Sequence, residues 1–122
     1  MQRTLGGEEM TLRGHQEAFA DDTMLLFEYI KGNGYTFTYG EVWRHEIMQA
    51  WYVENGFSKT MNSNHRKRIA IDLNIFKDGS YITNKLMLDH IGAYWESLSP
   101  ENVWGGNFTG FEDTPHFERR IP

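Results

Sequence analysis

The clearest pattern of apolar and polar positions lies in the middle of the chain, between Ile69 and Phe76. Every second residue there is a branched apolar one, and the residues between them are small or polar. The apolar set is Ile69, Ile71, Leu73 and Ile75, and the intervening set is Ala70, Asp72 and Asn74. This period of two predicts a half-buried strand with Asp72 on its polar face.

A second alternating stretch lies near the end, in Asp113-Thr114-Pro115-His116-Phe117-Glu118. A short strand here would turn His116 and Glu118 to one face and Phe117 to the core. Asp113 precedes His116 by three residues. We therefore expect the Asp113 carboxylate to reach a water molecule on any metal that His116 binds.

His65 lies at the end of a polar loop, residues 57–64, that leads into the central strand. It precedes Asp72 by seven residues, a separation that suits a loop residue and a strand residue converging on one metal. It does not suit the i, i+4 pair of a helical zinc site. With His116, these residues give two imidazoles and one carboxylate. That is a usual ligand set for a catalytic zinc, and it leaves the fourth position for water.

Helical and extended patterns alternate along the rest of the chain. The predicted elements are helices over residues 15–31, 45–55 and 84–98 and strands over residues 35–39 and 81–83. The buried stripe of the third helix is predicted to contain Met87, Ile91, Tyr94, Trp95 and Leu98. Residues 1–13 are expected to form a loose arm. This order predicts an α+β fold, a small and mainly antiparallel sheet backed by helices.

Length, composition and charge exclude several classes of protein. The 122 residues fit a single domain, and the absence of cysteine leaves only His, Asp and Glu to hold zinc. A net charge of −5 argues against nucleic-acid binding, and the basic cluster Arg66-Lys67-Arg68 is interpreted as a solvated turn. No apolar run is long enough to span a membrane, and the first residues lack the apolar region of a secretory signal. We expect no membrane insertion.

Taken together, the stretch that leads from Ser63 to Asp72 and the stretch from Trp104 to Glu118 resemble a known family, the LAS-type zinc peptidases. The residues that carry the resemblance are Ser63, His65 and Asp72, then Trp104-Gly105-Gly106, and then Asp113 with His116-Phe117-Glu118. That family includes D-alanyl-D-alanine carboxypeptidases and dipeptidases, and the L-alanyl-D-glutamate endopeptidases that many phages use as endolysins. The run from Ile69 to Gly79 is most similar to the phage branch. Many members have Gly three residues after the first ligand His, where this chain has Arg68.

The resemblance implies a fold and a set of roles. The fold is that of the Hedgehog/D-Ala-D-Ala-peptidase group. The expected partner is the stem peptide of peptidoglycan, and the protein is expected to act on it as a monomer. The implied zinc ligands are His65, Asp72 and His116. Asp113 would be the general acid–base, with Glu112 as a competitor at a spacing of four from His116. Arg44 would stabilise the oxyanion, and Ser63, Trp104 and Gly105 would contact substrate or shape the groove.

Several functions are compatible with these residues. Cleavage of the L-Ala-D-Glu bond by a phage endolysin is our first expectation, and D-Ala-D-Ala carboxypeptidase activity is the second. An endolysin of this kind would stay in the host cytoplasm until its release to the cell wall. A non-catalytic zinc or peptidoglycan-binding module would need neither a base nor Arg44. An unrelated small phage protein with structural histidines is the remaining alternative.

Overall fold

A computed structural model of the protein describes residues 10–42, 46–56, 64 and 67–121, without the side chains of residues 46 and 47. The elements in chain order are α1 (Leu12–Gly32), β1 (Thr36–Tyr39), α2 (Glu46–Glu54), β2 (Ala70–Lys77), β3 (Ser80–Ile82), α3 (Lys85–Leu98), β4 (Asn102–Trp104), a 3-10 turn (Gly105–Asn107) and β5 (His116–Arg119). The predicted α+β class is confirmed.

Strand β2 is the centre of the sheet. The order is β1-β2-β5-β4, with β3 paired to the end of β2, and every pairing is antiparallel. The start of β2 pairs with β5, and its last residues pair with β3 across the tight turn at Asp78 and Gly79. Both turn residues have positive φ, 50° and 81°, as a two-residue hairpin turn of this hand requires.

The first helix begins earlier than predicted. The side chain of Thr11 accepts a hydrogen bond from the backbone N–H of Gly14, and this cap starts the helix at Leu12. Residues 12 and 13 therefore belong to α1 rather than to a loose arm, and residues 1–9 lie outside the described part of the chain. None of the helices within the described ranges is both long and apolar enough to cross a membrane.

The core lies between one face of the sheet and helices α1 and α3. The alternating residues of β2 that were predicted to be apolar and inward are all buried. They pack with Leu26 and Ile30 of α1 and with Ile91 and Trp95 of α3. The predicted stripe of α3 is wrong at Met87, which is 46% exposed, because the buried face instead contains Leu88.

Strand β4 was not among the predicted elements. It forms because β5 pairs with β2 along one edge only, and its other edge is open to a further strand. On that edge Val103 pairs with Glu118 and Trp104 with Phe117. The indole of Trp104 then packs directly on Gly92 of α3, where a Cβ atom would lie 2.1 Å from the ring. This contact attaches the third helix to β4, and β4 in turn pairs with β5, the strand that carries His116.

Two histidines outside the site have structural roles. The Nδ1 atom of His15 accepts a hydrogen bond of 3.0 Å from Arg119, a fully buried side chain. His90 lies between the hydroxyl groups of Tyr29 and Tyr35, at 3.0 and 3.4 Å. Both histidines are held by neighbours in the fold, and neither shares the face of the sheet that carries Asp72.

Candidate active site

The site is built on a cross-strand pair. Asp72 of β2 lies directly opposite His116 of β5, and Ala70 lies opposite Glu118. Residues opposite one another share a face of the sheet, so these side chains stand on the outer face, while Phe117 between them is fully buried in the core. The Nδ1 atom of His116 lies 3.0 Å from Oδ1 of Asp72.

The other nitrogen of the imidazole is held by Glu118. The Nε2 atom of His116 lies 2.7 Å from Oε1 of this carboxylate, two residues further along β5. The second oxygen of Glu118 accepts hydrogen bonds from Asn64 at 3.0 Å and from Arg120 at 2.7 Å. The small side chain of Ala70 stands opposite Glu118. The ring of His116 is therefore fixed at both nitrogens.

Electrostatics at this pair favour a cation. Burial is the largest single effect on the pKa of His116 and lowers it, but hydrogen bonds and charge from Asp72 and Glu118 together outweigh burial and raise the pKa to about 9. For Glu118, burial raises the pKa, and the hydrogen bonds from His116 and Arg120 lower it further than burial raises it. Positive charge between the two carboxylates is thus stabilised by the fold.

This arrangement fits a zinc ion. With the Nε2 proton donated to Glu118, the lone pair of Nδ1 on His116 would face an oxygen of Asp72, and two acceptors so close require a proton or a metal between them. Two ligands of one tetrahedral zinc lie about 3.3 Å apart, near the observed 3.0 Å. A carboxylate on the outer nitrogen of a metal-bound histidine is the usual second shell of such sites.

The ligand set is incomplete within the described residues. Asp72 and His116 supply two ligand atoms. Glu118 contacts the other nitrogen of the imidazole and so does not add a third. In the described ranges, no three His, Asp or Glu side chains form a metal-binding group. The third predicted ligand, His65, lies outside those ranges, as do Arg44 and Ser63. Their predicted roles stay predictions.

Asp113 is brought beside His116 by the backbone. Its carbonyl accepts a hydrogen bond of 3.0 Å from the His116 N–H, and its own N–H donates to the carbonyl of Gly105 at 2.9 Å. The Asp113 side chain is partly buried. Backbone hydrogen bonds therefore place a predicted base and a predicted ligand at one loop-to-strand junction.

Comparison with known proteins identifies the family. A family model described as D-alanyl-D-alanine carboxypeptidase matches residues 55–119, more than half of the chain. The protein belongs to this peptidase family. The matched range contains His65, Asp72, Asp113 and His116 but not Arg44. A search of curated proteins found no match to the chain.

Two solved structures share the fold of this family member. The Serratia marcescens L-Ala D-Glu endopeptidase ChiX matches with a TM-score of 0.72 and 24% identity, over 89% of this chain and 83% of that one. A variant of the vancomycin-resistance D,D-pentapeptidase VanY, solved in complex with Zn(II), matches with a TM-score of 0.54 and 16% identity, over 96% and 76%. Both likenesses confirm the helix-backed antiparallel sheet.

Two of the residues predicted to contact substrate or shape the groove, Trp104 and Gly105, are buried. Trp104 is only 1% exposed, and its indole N–H donates to the Thr114 carbonyl at 2.9 Å inside the core. Gly105 is also buried, and a Cβ atom there would lie 2.2 Å from the carbonyl oxygen of Asp113. Both residues support the loop behind the site, Trp104 from the end of β4 and Gly105 from the start of the 3-10 turn that follows. Their predicted role at the substrate groove stays a prediction.

The turn after His65 keeps a backbone conformation that glycine favours. Arg68, at the position where many family members have Gly, has a φ of 59° in the left-handed region. The carbonyl of Asn64 accepts hydrogen bonds from the N–H groups of Lys67 and Ile69, at 3.2 and 3.1 Å, and closes the turn. The departure in sequence therefore leaves this turn in the left-handed conformation, at a local cost in strain.

Sequence reasoning missed two parts of the site. It placed Glu118 on the same face as His116 but assigned it no contact, although the spacing of two on a strand was a usable signal. It also missed Phe108, whose ring centroid lies 5.6 Å from that of His116. The guanidinium carbon of Arg120 lies over the same Phe108 ring, 5.6 Å from its centroid. No sequence pattern indicated that Phe108 would lie beside the histidine.

Proposed function

We propose that the protein is a zinc-dependent peptidase that cleaves the stem peptide of peptidoglycan. One observation carries this: His116 and Asp72 face each other at 3.0 Å with the outer ring nitrogen of His116 held by a buried carboxylate. In a chain that belongs to a peptidase family, such a pair is best explained as half of a metal-ligand set.

The bond we propose is L-Ala-D-Glu. This choice is supported by the greater likeness to the L-Ala D-Glu endopeptidase than to the D,D-pentapeptidase, in both TM-score and identity. D-Ala-D-Ala carboxypeptidase activity is the second candidate, favoured by the description of the family. The resemblance to the phage branch suggests an endolysin that acts on the wall as a monomer after release from the host cytoplasm.

The residues divide the chemistry among them. His65, Asp72 and His116 would hold the zinc. When bound, the zinc would act as a Lewis acid and make water nucleophilic near neutral pH. The Asp113 carboxylate accepts the proton of the attacking water and delivers it to the nitrogen of the leaving amine. The guanidinium of Arg44 donates hydrogen bonds to the developing oxyanion of the scissile carbonyl.

Glu118 acts on His116 rather than on substrate. By accepting the Nε2 proton, it keeps the Nδ1 lone pair directed at the position beside Asp72. Its own negative charge is stabilised by Arg120 and Asn64, so the carboxylate stays ionised although it is buried. Glu118 is therefore a positioning residue.

Digestion of purified peptidoglycan tests the proposal. The zinc-loaded protein should release fragments with new amino termini that begin with D-Glu, identified by mass spectrometry, and no new reducing sugar ends. Chelator should abolish the activity and added zinc should restore it, while Asp72→Asn should be inactive throughout. Release of free D-Ala would select the carboxypeptidase alternative. Chelator-resistant cleavage, or new reducing ends, would contradict a zinc peptidase, and binding without any turnover would indicate a non-catalytic module.

A further inference from the structure

The outer face of the sheet continues past the candidate active site along β2. Alternate residues of a strand share a face, so Asn74 and Phe76 follow Asp72 on this face. Thr38 of β1 lies opposite Asn74, and Tyr81 of β3 lies opposite Phe76. We call the surface made of Thr38, Asn74, Phe76 and Tyr81 the aromatic shelf.

The rings of the shelf are held in place. The centroids of Phe76 and Tyr81 lie 5.4 Å apart with planes tilted by 38°. The Tyr81 hydroxyl donates to the Asn74 side-chain oxygen, and the Asn74 amide donates to the Thr38 hydroxyl, both at 3.3 Å. Tyr81 is nevertheless 50% exposed. A ring fixed at its tip and open to solvent loses little conformational freedom when a ligand covers it.

The chemistry of the shelf selects a neutral ligand. Its residues are two aromatic rings, an amide and a hydroxyl, and none of the four carries a charge. A carboxylate or amine of the stem peptide would lose water there without gaining an ionic partner. A sugar ring has an apolar C–H face that can cover an aromatic ring, and its hydroxyl and N-acetyl groups can bond to the amide and hydroxyl groups beside it.

The position of the shelf matches a glycan close to the scissile bond. Asn74 and Phe76 lie two and four residues beyond Asp72, or about 7 and 13 Å along the strand. In a substrate cut at L-Ala-D-Glu, one alanine and the lactyl ether separate the bond from the first sugar, about 7 Å of extended chain. For a D-Ala-D-Ala bond, the corresponding separation is about 17 Å.

We propose that the aromatic shelf binds the N-acetylated disaccharide that is attached to the stem peptide, so that the enzyme recognises sugar and peptide together. This inference rests on the proposed function. It extends that function by naming a subsite on β2 and β3, with Tyr81 as the residue that stacks on the sugar and Asn74 as the residue that bonds to it.

Two substrates that differ only in the sugar test the shelf. One is a disaccharide-peptide that contains L-Ala-D-Glu, and the other is the same peptide with an N-acetyl group in place of the sugar. We expect the wild-type protein to have the lower KM for the first substrate. Tyr81→Ala should raise that KM about tenfold, the effect of uncovering half of an aromatic side chain, with little change in kcat. Tyr81→Phe keeps the ring and should stay within about threefold of wild type.

The matched control is Tyr39→Ala. Tyr39 is also exposed, at 62%, but it lies opposite Leu73 and so on the other face of the sheet. This variant should behave as wild type on both substrates. If Tyr81→Ala changes neither substrate, or changes both alike, the glycan is not the occupant of the shelf. A wild-type protein that cleaves neither substrate would instead contradict the proposed function.

A binding measurement tests, independently of catalysis, whether the aromatic shelf binds a glycan. The zinc-loaded protein is titrated with a tetramer of N-acetylglucosamine, which has no stem peptide to cleave, and amide chemical shifts are followed by NMR. We expect saturable shifts confined to β2, β3 and the facing residues of β1, and a dissociation constant at least about fivefold weaker in Tyr81→Ala. No saturable shift in the wild-type protein, or shifts centred elsewhere, would overturn the inference.

Discussion

Replacing Glu118 by glutamine tests how the buried carboxylate positions His116. Glu118 accepts hydrogen bonds from His116, Asn64 and Arg120. Glutamine has the same size, and its oxygen can still accept the proton of Nε2. Its amide group, however, would point N–H bonds at the donors of Asn64 and Arg120, and the negative charge behind the imidazole would be lost. We expect Glu118→Gln to fold and to bind zinc more weakly.

The size of the effect depends on pH. Loss of a second-shell partner typically weakens metal binding by about 10–100-fold, or about 1.4–2.7 kcal/mol. In the metal-free protein the pKa of His116 is about 9, so at pH 7 a proton competes with zinc and weakens binding about a hundredfold. Glu118 helps to hold that proton. The variant therefore meets less competition, and its apparent loss should be smaller at pH 7 than at pH 9.

Competition against a chromophoric zinc chelator at both pH values measures this. Glu17→Gln, which removes an exposed carboxylate of α1 and changes the net charge equally, should leave the zinc affinity unchanged. Thermal unfolding of each metal-free variant checks that the fold is retained. Zinc affinity equal to that of the wild-type protein at pH 9 would refute the reasoning, because proton competition at that pH weakens zinc binding only about twofold and cannot mask the loss of the carboxylate.

Three further predictions follow from named contacts. Asp113→Asn should retain zinc and lower kcat about 10²–10⁴-fold, while Glu112→Gln stays near wild type; the reverse result in a peptide-cleavage assay would move the base to Glu112. Gly92→Ala should lower the free energy of unfolding in urea by about 1–3 kcal/mol, since its Cβ would lie 2.1 Å from a buried indole. By contrast, Gly32→Ala has nothing within 4 Å and should raise that free energy by about 0.5–1 kcal/mol. In the metal-free protein the pKa of His116 is raised from 6.5 to about 9, so its stabilisation should be fully present below pH 6.5 and lost as the pH rises through 9. Urea titrations across this range should show that loss in the wild-type protein but not in His116→Ala.

Several features of the site were readable from local sequence. The alternation from Ile69 to Ile75 predicted β2 and placed Asp72 on its outer face, and the same period in β5 separated His116 and Glu118 from Phe117. These predictions succeeded because the side-chain direction along a strand is a property of the strand itself. The turn at Asp78-Gly79 is also a local feature, since two neighbouring residues set its type.

Tertiary structure alone decided which residues meet. Asp72 and His116 are 44 residues apart, and their contact depends on the register of β2 against β5, which a slip of one residue would destroy. Pairing of β5 with β2 leaves the other edge of β5 for β4. This arrangement buries Trp104 and Gly105, which were predicted from the sequence to lie at the substrate groove. Register and edge pairing depend on the packing of distant segments, and no local pattern of apolar and polar residues contains that information.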